Sequence, residues 1–200
     1  MDNGHKYRTI LVFGAPGTGK GTQGKILGQI PGFVHVSCGD VFRSVRPNSK
    51  LGKIFLEYSS QGMLVPDDFT IQLWKDHIDK LVRAEDYHPD DDYLILDGIP
   101  RNLAQAQELS AHINVHLVIN LHSSDIEALV QRMKRRALHE NRLDDANEEV
   151  IRHRFEEYDA QTEPTLAYYN PKLIKRIDAT GTPLAVFCKI ATVIHDAVGN

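Results

Sequence analysis

A glycine-rich segment with a lysine is the part of the sequence whose residue types most clearly suggest chemistry. It reads 14-GAPGTGKGT-22 and follows the apolar run 8-RTILVF-13. Glycines let successive backbone N–H groups point at a phosphate, a helix N-terminus adds partial positive charge, and Lys20 supplies an ammonium group. In the general form of this motif a hydroxyl follows the lysine directly, whereas here Gly21 intervenes before Thr22. The segment predicts a phosphate-binding turn between a strand and a helix.

Charged residues elsewhere have types that suit phosphate chemistry. The apolar run 93-YLILD-97 ends in Asp97, a carboxylate that can hold the hydration shell of Mg²⁺. Arg101 follows on the next turn and can direct two N–H groups to one phosphate. From Arg132 to Arg142 there are five basic residues and one acidic residue. This basic run is either a solvated helix face or a surface that binds a small anion.

These residues need a scaffold, and the apolar runs predict a parallel sheet. The predicted strands are 8–13, 33–36, 93–97, 115–121 and 173–178. Helical stretches separate these strands, and the first helix is predicted from about Gly19 to Ile30. The expected fold is therefore α/β, a doubly wound, five-stranded parallel sheet with helices on both faces. Functional loops should then lie at the carboxyl ends of the strands.

Helical apolar spacing identifies candidate core residues. The expected buried stripes are Phe69, Leu73, Trp74, Ile78 and Leu81; Ile126, Leu129, Val130 and Met133; and Val186, Phe187, Ile190, Ile194 and Val198.

Composition limits the possible functions. Two hundred residues with 42% apolar and 25% charged residues predict one globular domain. The net charge of −4 argues against nucleic-acid or anionic membrane partners. We find neither a signal peptide nor 18 uninterrupted apolar residues, and Cys38 and Cys188 are far apart, so we expect a cytoplasmic protein with reduced thiols.

Six motifs in order resemble those of the adenylate kinase family of nucleoside monophosphate kinases. Besides the glycine-rich segment they are 37-SCGDVFR-43, 62-GMLVPD-67, 97-DGIPRN-102, 142-RLDD-145 with Arg154, and 158-YDAQTEPTLAYY-169. The last of these resembles a helix of the family, so we expect a helix there. The likeness extends from about Thr9 to Phe187, nearly the whole chain.

The resemblance implies a P-loop NTPase-type kinase that moves the terminal phosphoryl group of ATP to AMP and gives two ADP. It implies one domain with two inserts, a monophosphate-binding segment at 37–66 and a short lid at 136–149. Mg²⁺ would accompany ATP, and no zinc is expected because the lid is short and has no cysteines. The implied partners are ATP, AMP and ADP, and the implied state is a monomer.

The resemblance also assigns site residues. For the ATP phosphates these are Gly17, Thr18, Gly19, Lys20, Gly21, Thr22 and Arg136. For the acceptor they are Cys38, Arg43, Leu64, Val65, Gly98, Arg101 and Gln105. The catalytic set is Lys20, Arg101, Arg132, Arg142 and Arg154, and the lid set is Arg136, Arg142, Asp144 and Asp145. Gly181 would lie near the ATP base, and Asp97 would bind Mg²⁺ through water.

The acceptor base depends on Gln105 and Cys38. Adenylate kinases tend to have glutamine at the position of Gln105, and the related uridylate–cytidylate kinases tend to have asparagine. A glutamine amide matches the adenine edge, but the same amide flipped would suit guanine. Cys38 stands where the family usually has threonine. The alternatives are a UMP/CMP kinase and a regulatory module that binds nucleotide without transferring phosphate.

Overall fold

A computed structural model of the chain describes residues 6–140, 142, 145 and 147–199, apart from the side chains of 139 and 140. Its strands are β1 (Tyr7–Gly14), β2 (Phe33–Ser37), β3 (Tyr93–Asp97), β4 (Ile113–His122) and β5 (Ile174–Asp178). Within these residues the strands form one sheet in the order β2-β3-β1-β4-β5, and each observed pairing is parallel. The predicted α/β fold is confirmed.

Helices cover both faces of this sheet. They are α1 (Lys20–Leu27), α2 (Cys38–Ser44), α3 (Lys50–Ser60), α4 (Asp67–Arg83), α5 (Leu103–Leu109), α6 (Ile126–Glu140), α7 (Glu148–Glu157) and α8 (Pro183–Val198). The first helix ends before the predicted Ile30, because Gly28 caps it and the chain then turns at Gly32, where φ is 85°. Within the described residues no helix is long and apolar enough to cross a membrane.

The strand order places the functional loops together. β1 lies at the centre, with β3 on one side and β4 on the other. The chain leaves β1 toward one edge of the sheet and later returns to the other, so the crevice at the carboxyl end of β1 is a topological switch point. The loop after β1 and the loop after β3 both open into it.

The three central strands, β1, β3 and β4, are largely buried on both faces, as is typical of parallel sheets. Leu11 and Phe13 of β1 pack into one core with Trp74 of α4, whereas Ile10 and Val12 pack into a second core with α8. A third, smaller cluster joins α6 to α7 through Leu129, Val130, Met133, Ile151 and Phe155. Helices α6 and α7, which lie on either side of the segment predicted to be the lid and are termed the lid helices, therefore have an apolar contact of their own.

Two expectations from the sequence are wrong in detail. Ile126 was expected in a buried stripe but is 42% exposed, because it is the first residue of α6 and the buried face begins one turn later at Leu129. The motif at 158–169 was expected to be a helix. It forms a π-helical turn over Tyr158–Thr162 and a 3₁₀ turn over Glu163–Tyr168, since Pro164 has no N–H to continue the α-helical hydrogen bonds.

Candidate active site

The turn between β1 and α1 has the backbone geometry of a phosphate-binding loop. Gly17 has a φ of 82°, and Gly19, the N-cap of α1, has a φ of 96°, a region that favours glycine. A Cβ on Gly17 would also lie 2.9 Å from the carbonyl oxygen of Leu129. The Thr18 hydroxyl donates a 2.8 Å hydrogen bond to the Ala15 carbonyl, so this side chain braces the loop itself.

The Lys20 side chain lies over the glycine-rich loop between β1 and α1. Its Nζ donates hydrogen bonds to the carbonyl oxygens of Gly14 at 2.6 Å and Ala15 at 3.2 Å. Burial lowers the pKa of the Lys20 ammonium to about 8; the Asp97 carboxylate opposes the change, and nearby arginines add to it. A bound phosphate would supply the counter-charge that this buried ammonium group lacks.

Asp97 ends β3 beside the loop. Its backbone is in register with Val12 of β1, its side chain is buried, and its Oδ2 lies 3.8 Å from His35 Nε2. Burial opposes ionisation, but the adjacent His35 ring and the charges of Lys20 and Arg101 outweigh it and lower the pKa of the Asp97 carboxyl. Asp97 is therefore negatively charged at neutral pH.

The same edge offers oxygen atoms to a divalent cation. A Cβ on Gly21 would lie 3.5 Å from Asp97 Oδ2, so the carboxylate faces the first turn of α1, where Thr22 is exposed. In the described part of the chain, no group of three or more His, Cys, Asp or Glu residues is placed to form a metal site. One carboxylate beside a phosphate loop fits Mg²⁺, which keeps several waters and takes further ligands from substrate phosphates.

Cationic side chains gather around this loop in what we term the phosphate cavity. Those that line it are Lys20, Arg43, Arg101, Arg136, Arg142 and Arg154. Among its described lining residues, Asp97 is the one carboxylate. Four helices (α1, α2, α6 and α7) and two connecting segments supply these cations, so the arrangement exists only in the folded protein. Such a cavity is suited to several phosphates at once.

Asp145 holds Arg136 of α6 and Arg154 of α7. It is completely buried, and its Oδ2 accepts from Arg136 Nε at 2.8 Å and Nη2 at 2.5 Å. Its Oδ1 accepts from Arg154 Nη1. The carboxylate therefore fixes both guanidinium groups at the wall of the phosphate cavity. Asp144, the other acidic residue predicted for the lid, lies outside the described residues.

Asp40, in the segment at 37–66, contacts Arg142 of the segment predicted to be the lid. Its Oδ1 accepts from Arg43 Nη2 at 2.6 Å and from Arg142 Nη2 at 3.4 Å, and its Oδ2 lies 3.7 Å from Lys25 Nζ. Partial burial opposes ionisation, but the hydrogen bond from Arg43 and the neighbouring charges lower the pKa of Asp40. Asp40 thus brings Arg43 and Arg142 together without a ligand.

Arg132, predicted to be catalytic, lies away from this cationic lining. Its Nη1 donates to the carbonyl oxygen of Ala179 at 3.3 Å. Ala179 follows β5 and comes two residues before Gly181, where φ is 102°. The structure therefore brings Arg132 toward the loop predicted for the ATP base.

A second, more apolar cavity adjoins the first and is termed the acceptor cavity. Its lining includes all seven residues predicted for the acceptor: Cys38, Arg43, Leu64, Val65, Gly98, Arg101 and Gln105. Phe42 and Phe55, whose rings stack with centroids 5.2 Å apart, also line it. Burial raises the pKa of the Cys38 thiol to about 11, so this side chain is neutral at pH 7. The cavity combines an apolar wall with arginines at one end.

Gln105 is buried in α5 and has two hydrogen-bond partners. Its Oε1 accepts from the backbone N–H of Arg101 at 2.8 Å, and its Nε2 donates to Asp67 Oδ1 at 2.6 Å. Asn102 caps α5 by accepting from the Gln105 N–H and also donates to Asp67. The orientation of this side chain is thus determined by a residue of α4 and by the backbone of the loop before α5.

Sequence reasoning missed His35, Asp40 and Asp67. The latter two lie inside recognised motifs, Asp40 three residues before Arg43 and Asp67 at the end of 62-GMLVPD-67. Their motif positions were a signal, but each also has a partner that is distant in sequence: Arg142 for Asp40 and Gln105 for Asp67.

Comparison with known proteins agrees with the resemblance carried by the six sequence motifs. The family model described as Adenylate kinase matches residues 12–174. The chain is 42% identical over 180 residues to an adenylate kinase of Thermobifida fusca, covering 87% of this chain and 90% of that protein. It is 35% identical over 194 residues to one of Flavobacterium psychrophilum, covering 94% and 98%. Human adenylate kinase isoenzyme 1 is 32% identical over 189 residues, covering 94% of each.

Proposed function

The chain belongs to the adenylate kinase family, and from this premise we propose that it is an ATP:AMP phosphotransferase that converts ATP and AMP into two ADP. The observation that carries the proposal is the junction of the two cavities. Lys20, Arg43, Arg101 and Arg154 line both of them. Two nucleotides whose phosphates face each other require this arrangement: two binding spaces that meet at a cationic wall.

The proposed roles follow from charge. The acceptor phosphate of AMP is already ionised at pH 7, so no general base is needed, and catalysis rests on alignment and charge neutralisation. Lys20 and the loop at 14–22 would hold the transferred phosphoryl group, and Arg43 and Arg101 would orient the acceptor phosphate. Arg136, Arg142 and Arg154 would neutralise charge that develops on the donor.

We also propose that Asp97 holds Mg²⁺ through its water shell when ATP is bound. The cation would neutralise part of the triphosphate charge. The buried, ionised carboxylate next to the first turn of α1 supports this role. Gly181 and Arg132 would contact the donor base region, since Arg132 reaches the carbonyl of Ala179.

One panel of acceptors tests the proposal. ATP with Mg²⁺ is mixed with AMP, CMP, UMP or GMP, and nucleoside diphosphates are followed. We expect the largest kcat/KM with AMP. A preference for CMP or UMP would replace this proposal with a pyrimidine kinase, and the absence of turnover with every acceptor would favour a regulatory nucleotide-binding module.

We propose further that the enzyme is a cytoplasmic monomer. The residues that line both cavities come from a single chain, so a second copy is not needed to form them. Light scattering after gel filtration should give the mass of one chain, and a dimer mass would contradict this.

A further inference from the structure

The hydrogen bonds of Gln105 restrict how its amide can face a base. Arg101 contributes a backbone N–H, which only donates, so its partner is the oxygen Oε1. Asp67 contributes a carboxylate oxygen, which accepts, so its partner is the nitrogen Nε2. Flipping the amide would set a donor against a donor and an acceptor against an acceptor at distances of 2.8 and 2.6 Å.

Asp67 is well placed to hold this orientation. It begins α4, where the helix N-terminus favours a negative charge. Both of its oxygens also accept from Asn102 Nδ2, at 2.9 and 3.1 Å. Asn102 in turn caps the helix that contains Gln105. The carboxylate is therefore fixed relative to α5 as well as to α4.

The fixed orientation of the amide matters because adenine and guanine differ in the order of the hydrogen-bond donors and acceptors on their edges. Adenine presents an N6–H donor beside the N1 acceptor, whereas guanine presents an O6 acceptor beside the N1–H donor. The Gln105 amide keeps one lone pair on Oε1 and one N–H on Nε2 after its two contacts are made. With N6–H of adenine at Oε1 and N1 at Nε2, both pairs match, whereas guanine in the same pose would place O6 against Oε1 and N1–H against Nε2. An amide free to flip would match either purine, but the observed orientation matches adenine in this pose.

We propose that Asp67 is a positioning residue that sets the preference for adenine over guanine at the acceptor site by holding the Gln105 amide in one orientation. The inference rests on the proposed function, in which AMP is the acceptor. It assigns no contact with the nucleotide to Asp67 itself, which acts through Gln105.

Asp67→Asn tests the inference, because an asparagine amide can both donate and accept, so only the Arg101 N–H would then hold the orientation of Gln105. We expect the ratio of kcat/KM for AMP to that for GMP to fall about tenfold or more. Asp67→Ala should lower the ratio in the same direction. The KM for ATP should stay within about twofold of wild type, since the change acts on the acceptor side.

Asp68→Asn is the matched control. Asp68 is the next residue of α4, is exposed, and also lies in the first turn. Its replacement removes the same charge from the helix N-terminus but should leave the AMP-to-GMP ratio unchanged. In a Gln105→Leu background, Asp67→Asn should also leave the ratio unchanged, because the amide that it positions is gone.

If the Asp67 variants do not fold, an NMR measurement on the wild-type protein tests the inference instead. The Gln105 side-chain amide protons, assigned by their loss in Gln105→Leu, should keep the downfield shift of a carboxylate hydrogen bond when AMP saturates the site. Loss of that shift with AMP, or an equal effect of Asp67→Asn on AMP and GMP, would overturn the inference. Absence of wild-type transfer to AMP would instead contradict the proposed function, so the two failures are distinguishable.

Discussion

At the residue scale, Lys20 is the side chain whose removal should be most costly to turnover. Lys20→Ala removes a charge that follows the transferred phosphoryl group, and we expect kcat to fall at least about 100-fold. The melting temperature should barely change, because the Lys20 charge is buried without a full counter-charge.

The matched control is Lys25→Ala. Lys25 lies on the same helix, and its side chain is 62% exposed. Steady-state rates of the two variants, measured with saturating ATP and AMP, should separate them clearly. A Lys20→Ala enzyme with near-normal rates would contradict the catalytic role.

The lowered pKa of Lys20 makes a second prediction at this scale. With a pKa of about 8 in the ligand-free protein, about half of the Lys20 side chains are neutral at pH 8. Bound phosphates raise this pKa, so binding of ATP with Mg²⁺ at pH 8 should take up about half a proton and weaken as pH rises further.

Calorimetry in buffers of different ionisation enthalpy measures this uptake. Lys20→Arg should abolish it, since a guanidinium stays protonated. Lys25→Arg should retain it. Equal uptake in both variants would assign the proton to another group.

At the scale of elements, the two lid helices are joined by an apolar cluster and by Asp145. Asp145→Asn keeps the shape of the side chain but removes the charge that Arg136 and Arg154 share. Because the Asp145 side chain is completely buried and both arginine side chains are about three-quarters buried, we expect a loss of about 2–3 kcal/mol in the free energy of unfolding.

Urea unfolding checks this value, with Glu148→Gln as the control. Glu148 also pairs with two cations, Lys134 and Arg152, on the lid helices, but at the surface. Its replacement should cost much less, because water screens an exposed pair. Equal losses of unfolding free energy in the two variants would show that burial of Asp145 adds nothing to the stability that its ion pairs provide.

At the scale of the whole molecule, closure of the lid should require both cavities to be filled. A bisubstrate analogue that joins two adenosines through five phosphates should protect the segment 136–149 from hydrogen exchange. AMP alone should protect it much less, because it supplies one phosphate to arginines that face several. Equal protection by both ligands would indicate that the basic run is only a solvated face.

Local patterns were enough to predict much of this protein. The glycine-rich turn, the five strands and the α/β fold depend on the periodicity and turn chemistry of neighbouring residues, and all three are found in the structure. The resemblance that identified the family also rests on short motifs in order. Errors arose at element ends, as at Ile126 and in the motif at 158–169, where one residue decides the geometry.

Only the tertiary structure decided which charged and polar side chains contact each other. Asp40 and Arg142 are 102 positions apart, and Asp67 and Gln105 are 38 apart. Each residue type has many possible partners along the chain, and the choice depends on how separate helices pack on the sheet. The sequence alone allowed either orientation of the Gln105 amide, and the carboxylate of α4 selects one because acceptors cannot face each other across a hydrogen-bond distance.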